Sequence, residues 1–596
     1  MKRFIRLITF LSLSFCFVQI SSCNRDQAEQ QADENTVEYS KENIATVRLP
    51  AEPDKINPLI TTSVYSRIVY EPIFLYLLQF DPQSLEIAPQ LAKSRPQIEE
   101  LTDGPFAGGV SYTFEILDEA VWDDGTSILA KDFEFTLKVL FNPLVNAAPV
   151  RAYLEFIRDI EIDADNPKKF TVYTNQKYIV GEAAIGNIPI YPTYVYDKEG
   201  LMSDYALSDL TDPDKSAELS EDENIKAFAD IFNSAEYGRE KGNVVGSGAY
   251  SFESWESGQR IVLKKKKNWW GDKLDNPLLA AYPDQITYKI IPDQTTTVAA
   301  IKAQEIDVTA QIDAKDFTDM KDDEMVNKYF NLYSPTALQY YYIGMNTKDR
   351  TGKLSDKRVR RALAHLVDVD QLINDLFYGL AERTVGPIHP SKSYYNKDLK
   401  PIEYNVEKAQ SLLAAAGWED SDGNGILDKE IDGEQVDLKI SYITTSTSKF
   451  GRSLAEILTA NFKKAGVELD VELLEFRQLI ERLRSRDYEM NSGGWGQDPV
   501  PADLKQIWHT ESDRPDGSNR VGFGNAESDA LIDQIRVTLN EDERVDMYMR
   551  IQEVVYEEQP YIFLFSPRER IAIHKRFNTT VTSLRPGYII NDFQLK

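Results

Sequence analysis

Cysteine is nearly absent from this chain. Only Cys16 and Cys23 occur, both within the first 23 residues. The rest of the chain therefore has no disulfide, no thiolate nucleophile and no cysteine metal ligand. Histidine is almost as scarce. His365, His389, His509 and His574 stand singly, with no pair at the i, i+4 spacing of a helical zinc site. Net positive charge is missing as well. Against 96 Asp and Glu there are 67 Lys and Arg, a formal charge of −29. Without a basic surface to offset phosphate repulsion, the composition argues against nucleic acid and anionic lipid faces as partners. Motifs of catalysis are missing too. There is no Walker loop and no H-E-x-x-H, and Gly246-Ser247-Gly248 has the wrong spacing for a nucleophile elbow. Among so many acids some carboxylate pair always exists, so acidity is no evidence for a hydrolase. The chain reads as a non-enzyme, with a secreted carboxylate-dependent hydrolase as a remote alternative.

What is present begins at the N-terminus. Lys2, Arg3 and Arg6 precede Leu7 to Ile20, a mostly apolar stretch of 14 residues. Crossing a bilayer takes about 20 apolar residues, so this stretch is too short to span one. It fits the h-region of a signal peptide over residues 1–22. Ile20-Ser21-Ser22-Cys23 resembles a lipobox, the cleavage and acylation site of bacterial lipoproteins. The resemblance implies that Cys23 becomes the first mature residue and anchors the chain in a lipid bilayer, which takes more than one acyl chain. The alternative is a plain secretory signal with an incidental cysteine. Residues 24–43 are polar and nearly free of apolar side chains, which predicts a disordered tether. Its 20 residues reach roughly 25 Å. The implied location is the cell envelope, lipid-anchored, in the periplasm or on the outer surface.

At 596 residues the chain exceeds what one hydrophobic core serves. From Ile44 the periodicity mixes strands and helices, so the fold class is α/β or α+β with mixed sheets. Ile44–Pro50 and Ser111–Leu117 read as strands. Ala130–Leu140 reads as a helix. Lys357–Leu376 reads as helical with a break at Asp368. Two further helices, Asn405–Ala416 and Lys449–Ala465, are closed by Gly417 and Gly466, and a strand follows over Val467–Leu474. Ser203–Asn224 reads as an acidic loop and a candidate seam, and Pro292–Thr297 as a second seam. Lys264–Lys267 follows a strand and reads as a charged guard on a sheet edge.

Five segments, in order, carry a further resemblance. They are Pro50–Leu59; Pro72–Leu78 with Phe80-Asp-Pro82 and Pro89–Ala92; Tyr112–Phe114 with Val121–Thr126 and Ala130–Asp132; Gly246–Tyr250 with Trp255 and Asn268–Gly271; and Tyr341–Asn346 with Ser355–Leu363 and Asp368–Asp370. Together they resemble the extracellular solute-binding proteins of the oligopeptide, dipeptide and nickel type that serve ABC importers. The resemblance implies two lobes around a ligand cleft, with an extra subdomain in the first lobe. The implied division is 44–77 lobe I, 78–195 extra subdomain, 196–291 lobe I again, 292–560 lobe II and 561–596 a return to lobe I. The implied function is capture of a peptide and its delivery to a membrane permease, by a monomer needing no cofactor. A metal chelate, an oligosaccharide or a sensory role are alternatives on the same fold.

Candidate contacts follow. Asn491–Pro499 reads NSGGWGQDP, and its glycines beside one tryptophan let another backbone approach. By resemblance, Gly494, Trp495 and Gly496 pair with an extended peptide, and Asp498 holds its ammonium. A desolvated carboxylate does need a cationic partner. The family pattern has an aromatic after this Asp, whereas Pro499 stands here. Either Asp498 or Asp503 is then the amine-binding acid, or Asp498 caps a turn. Thr62 and Ser63 fall near another ligand-contact position of the family. Separately, Asp420, Asp422, Asn424 and Asp428 occupy calcium-loop positions 1, 3, 5 and 9, with Gly425 at 6, but Ile431 replaces the final Glu. An Asx-rich surface turn and a structural Ca²⁺ site both remain open.

Overall fold

The computed structural model describes residues 39–596 except 447 and 516. The chain divides into two compact units, Met1–Ser40 and Lys41–Lys596, and every element below belongs to the second. The segment expected to be a signal peptide, Cys23 and the expected tether as far as residue 38 lie outside the described residues. Among the described residues, no helix is long and apolar enough to cross a membrane.

Three sheets organise the body. The largest has seven strands in the order Phe330–Tyr333, Ile571–His574, Val308–Thr309, Ile44–Leu49, Gln285–Ile290, Arg260–Lys265, Tyr250–Glu256. Its centre is parallel, with Val47 opposite both Tyr288 and Val308. A second sheet runs Glu468–Leu474, Lys439–Thr445, Met490–Gly496, Gln339–Met345, Tyr561–Phe563. The third is antiparallel and four-stranded: Gln97–Glu100, Val110–Glu115, Lys169–Thr174, Ile157–Ile162. One continuous core joins the third sheet to the first, from Ala45 and Val47 through Phe114, Phe133 and Phe170. The second sheet has its own cores on its two faces, around Ile440, Leu454 and Leu458 on one side and Tyr340, Trp508 and Tyr561 on the other. The mixed α/β class expected from periodicity is the one observed.

Local signals placed most elements. Helix Ala130–Phe141 buries Phe133 and Leu137. The expected break at Asp368 separates helices Lys357–His365 and Val369–Phe377, because the Asp368 carboxylate accepts the Gln371 N–H at 3.0 Å and caps the second. Gly417 and Gly466 close their helices at φ +86° and +73°, a region that glycine enters without strain.

The seams differ from those expected. Ser203–Asn224 is not a loop. Helices Leu207–Thr211, Pro213–Leu219 and Glu223–Asn233 begin there, and Asp212 and Asp222 cap two of them. Two of the acids that suggested a loop, Asp212 and Asp222, are N-caps. Ile225, Phe228 and Phe232 bury against the subdomain, with Phe228 edge-on to Phe135 at 6.0 Å, so the subdomain runs past 195 to about Asn233. The first crossing between lobes also moves. Strands Val308–Thr309 and Phe330–Tyr333 still belong to the first sheet, and the second sheet starts at Gln339, so the crossing is 334–338 rather than 292. The return lies at 564–570 rather than 561. The two crossings run antiparallel and bond to each other: Glu569 N–H donates to Pro335 C=O at 2.8 Å, and Ala337 N–H to Pro567 C=O at 2.9 Å.

The lysine run is likewise not an edge. Arg260–Lys265 is paired on both sides, by Gln285–Ile290 and Tyr250–Glu256. Its charges are matched by acids instead: Lys265 meets Asp272 at 2.9 Å and Lys266 meets Asp123 at 2.6 Å.

Candidate functional site

Strand Met490–Gly496 lies between two neighbours and is served by them unequally. Against Gln339–Met345 it pairs along its whole length, from Met345 opposite Met490 to Gln339 opposite Gly496. Asn346 N–H donates to Glu489 C=O and Gln497 N–H to Leu338 C=O, both at 2.8 Å. Those bonds set the phase of the antiparallel alternation. Asn491, Gly493 and Trp495 spend their backbone groups on that partner. Ser492, Gly494 and Gly496 turn theirs to the other side.

On the other side the parallel strand Lys439–Thr445 pairs only at Tyr442–Met490 and Ile443–Asn491. The hydroxyls of Thr444 and Ser492 meet at 3.0 Å, and from Gly493 onward no strand covers the edge among the described residues. Gly494 and Gly496 are exposed there. A methyl group at Gly496 would meet nothing within 4 Å, and one at Gly494 would approach the Tyr341 ring at 3.1 Å. Gly493 differs: its Cβ would lie 2.7 Å from the Tyr342 hydroxyl. That glycine makes room for Tyr342, which stacks on Tyr561 at 3.9 Å and lies parallel to Trp495 at 6.4 Å. The Trp495 indole N–H donates to the Tyr561 hydroxyl at 3.3 Å, so this half-buried ring forms the wall beside the open edge.

The strand ends in the loop 497–504, which carries both candidate acids. Asp498 is exposed, and no hydrogen bond or ion pair to its carboxylate is seen among the described residues. It does not cap a turn. Asp503 is fully engaged. One oxygen accepts the Tyr178 hydroxyl at 2.9 Å and Arg536 Nε at 3.0 Å, and the other accepts Lys505 N–H at 3.0 Å. Burial and the adjacent Asp503 push the Tyr178 phenol up. Tyr178 comes from the first-lobe subdomain, and beside it Ile179 donates its N–H to Arg536 C=O at 2.9 Å and is buried in the second-lobe core. The loop is held from behind as well. Lys392 Nζ donates to the carbonyls of Asp498 at 2.7 Å, Pro499 and Val500 at 2.9 Å. Ala502 N–H donates to the Tyr394 hydroxyl at 3.0 Å, and the Tyr548 hydroxyl to Ala502 C=O at 2.7 Å. Sequence reasoning missed Lys392, Tyr394 and Tyr178; nothing local distinguishes them.

Thr62 and Ser63 stand apart on the first lobe. Thr62 is exposed, and Ser63 caps helix Val64–Tyr70 by accepting the Ser66 N–H at 3.3 Å. No hydrogen bond joins either to Gly494–Gly496 among the described residues. Asp54 organises their turn by accepting the hydroxyls of Thr61 and Ser66, both at 2.6 Å. Burial would raise the Asp54 carboxyl, but these bonds outweigh it and hold it below the usual range.

The acidic loop of the second lobe is a separate feature. Carboxylate oxygens of Asp420, Asp422 and Asp428 lie within 4.8 Å of one another. They point at the loop's own donors. Asp420 accepts Gly423 N–H at 2.8 Å and Gly425 N–H at 3.0 Å, the Asn424 amide oxygen accepts Ile426 N–H at 2.7 Å, and Asp428 accepts the Ser421 N–H and hydroxyl. The histidines are dispersed in space as in sequence. His365 bonds Glu403 C=O, His389 bonds Ala337 C=O and Ser391, His509 accepts Glu511 N–H, and His574 meets Gln304.

Residues 86–515 match the model of the bacterial extracellular solute-binding proteins, family 5. The chain belongs to this family. It is 28% identical over 529 residues to the oligopeptide-binding protein AppA of Bacillus subtilis, covering 88% of this chain and 86% of that one. It is 23% identical to the dipeptide-binding protein of Escherichia coli over 520 residues, 86% and 87% of the two chains. The solved structure of B. subtilis AppA with a nonapeptide superposes with a TM-score of 0.66 at 25% identity, covering 93% of this chain and 99% of that chain. NikA of Brucella suis with Fe(III)-EDTA superposes at 0.72 with 20% identity, covering 93% and 100%, and shows the shared fold. Family 5 is a family of solute-binding proteins rather than of enzymes.

Proposed function

We propose that this solute-binding protein captures peptides and presents them to an ABC importer. The observation that carries the reading is the open strand edge at Gly494 and Gly496, followed by the uncommitted carboxylate of Asp498. An extended peptide adds to such an edge through its own N–H and C=O groups, which gives affinity that does not depend on side chains. Two outward-facing residues spaced two apart match the alternation of a peptide strand. With the peptide ammonium at Asp498, the peptide runs antiparallel to Met490–Gly496. The contact between Thr444 and Ser492 ends the slot after its first few residues. Asp503 is not the amine-binding acid in this reading, because Tyr178, Arg536 and Lys505 fill its oxygens. Thr62, exposed beside the Ser63 cap, is the first-lobe candidate for a ligand contact in this reading. The similarity to named peptide-binding relatives supports the same ligand class. Cys23, acylated, would tie the protein to a membrane near its permease.

Native mass spectrometry of the mature chain tests the ligand class. The expected result is a heterogeneous set of peptide masses that a peptide pool displaces. A single chelated metal, heme or sugar mass that peptides do not displace overturns it.

A further inference from the structure

The cation of Lys392 meets three consecutive carbonyls, those of Asp498, Pro499 and Val500. An ammonium has three donors, so all are consumed. None is left for the Asp498 carboxylate, and no ion pair joins the two among the described residues. Lys392 is half-buried, and a partly desolvated cation that spends itself on carbonyls while an acid stands nearby is an unusual arrangement, since desolvation is costly for an ammonium unless it is paired. The sequence of the loop explains the need. Pro499 has no N–H and restricts Asp498 to an extended backbone. The turn cannot close on itself through a donor at its centre. Lys392 supplies that donor from outside, 106 residues earlier in the chain. Its own base is fixed: Lys392 N–H donates to His389 C=O at 3.0 Å, and the buried His389 ring bonds Ala337 C=O at 3.0 Å. Burial pushes the Lys392 ammonium down to about 8, against the opposing pull of Asp498.

We infer that Lys392 is a positioning residue for ligand recognition: it curls 498–500 around its ammonium so that the Asp498 carboxylate faces outward at the end of the open strand edge. The inference rests on the reading that Asp498 receives the ligand ammonium. It predicts that Lys392 governs the choice between free and blocked peptide N-termini without touching the peptide.

The test uses the mature full-length chain and a randomised nonapeptide pool, free or N-acetylated, read by affinity-selection mass spectrometry and then titration of selected pairs. The wild-type chain is expected to prefer the free amine by about tenfold or more, the size of one charge-assisted hydrogen bond. Lys392→Met and Lys392→Gln should each reduce that preference about fivefold or more, whichever of them folds better, and Lys392→Arg should restore at least half of it on a logarithmic scale. A merely structural role weakens both pools alike and leaves the ratio unchanged. Asp498→Asn is run beside them. If Asp498→Asn abolishes the preference while both Lys392 variants keep it, the role of Lys392 is overturned and the reading of Asp498 stands. If Asp498→Asn keeps the preference, both fall. Capture of neither pool overturns the peptide reading itself.

Discussion

Asp498 and Asp503 share one loop and have opposite surroundings. Asp503 accepts a phenol, a guanidinium and a backbone N–H, and it binds the first-lobe subdomain to the second lobe. Asp498 is exposed and its carboxylate accepts nothing among the described residues, although the backbone beneath it is held by Lys392. The difference separates two uses of a carboxylate. A saturated acid buys structure, and an unsaturated one on a rigid backbone is prepared for a partner not yet present. Sequence proximity and residue type do not tell them apart; hydrogen-bond accounting does.

The comparison can be broken at either acid. Asp503→Ala leaves the half-buried Arg536 guanidinium and the Tyr178 hydroxyl without their acceptor, and should cost about 3 kcal/mol of unfolding free energy in urea titrations. Asp498→Ala should cost less than about 0.5 kcal/mol in the same assay. Equal losses would erase the distinction. Peptide affinity should invert the order: Asp498→Ala is expected to weaken a free-amine peptide by about 2 kcal/mol, measured by calorimetry, with the N-acetylated peptide unaffected.

The strand before the loop offers the same contrast in its glycines. Gly493→Ala forces a methyl group against the Tyr342 hydroxyl and should lower stability by about 1–2 kcal/mol. Gly496→Pro removes one outward N–H where no strand pairs, so it should leave stability near wild type and weaken peptide binding by about 1 kcal/mol. A Gly496→Pro chain that binds peptides normally would show that the open edge is not used. The smallest effect is expected for Tyr178→Phe, which removes one of three bonds to Asp503. A loss of about 0.5–1 kcal/mol from the lobe contact should appear as a slightly larger radius of gyration without ligand, read by small-angle scattering. No change would assign the lobe contact to Ile179 and Arg536 alone.

Helix boundaries were legible where a cap residue acts on its own neighbours, as at Asp368, Gly417 and Gly466. The order of family segments was legible as well, and with it the mixed fold and the strand of glycines beside Trp495. Sheet membership was not. Whether Val308 pairs with Val47 or crosses to the second sheet depends on contacts hundreds of residues apart, so the seams moved. The acids of 203–224 were misread because an Asp in a loop and an Asp capping a helix have the same local signature. The lysines of 264–267 were misplaced for a similar reason: an interior strand can carry charge when an acid such as Asp272 comes to meet Lys265, and Asp123 meets Lys266 just past its end. Lys392 was invisible because its partners are carbonyls, which every residue has.

The strand Ile571–His574 lies inside the first sheet, with Phe330–Tyr333 beyond it. A ribosome adding about 5–20 residues per second therefore finishes the second lobe's strands before it supplies the piece that completes the first. Until then Val308–Thr309 presents a bare edge and Phe330–Tyr333 has no strand to join. This order of assembly delays locking of the first lobe until the end of the chain is available, and removing the last thirty or so residues should leave an aggregation-prone edge rather than a shorter binding protein.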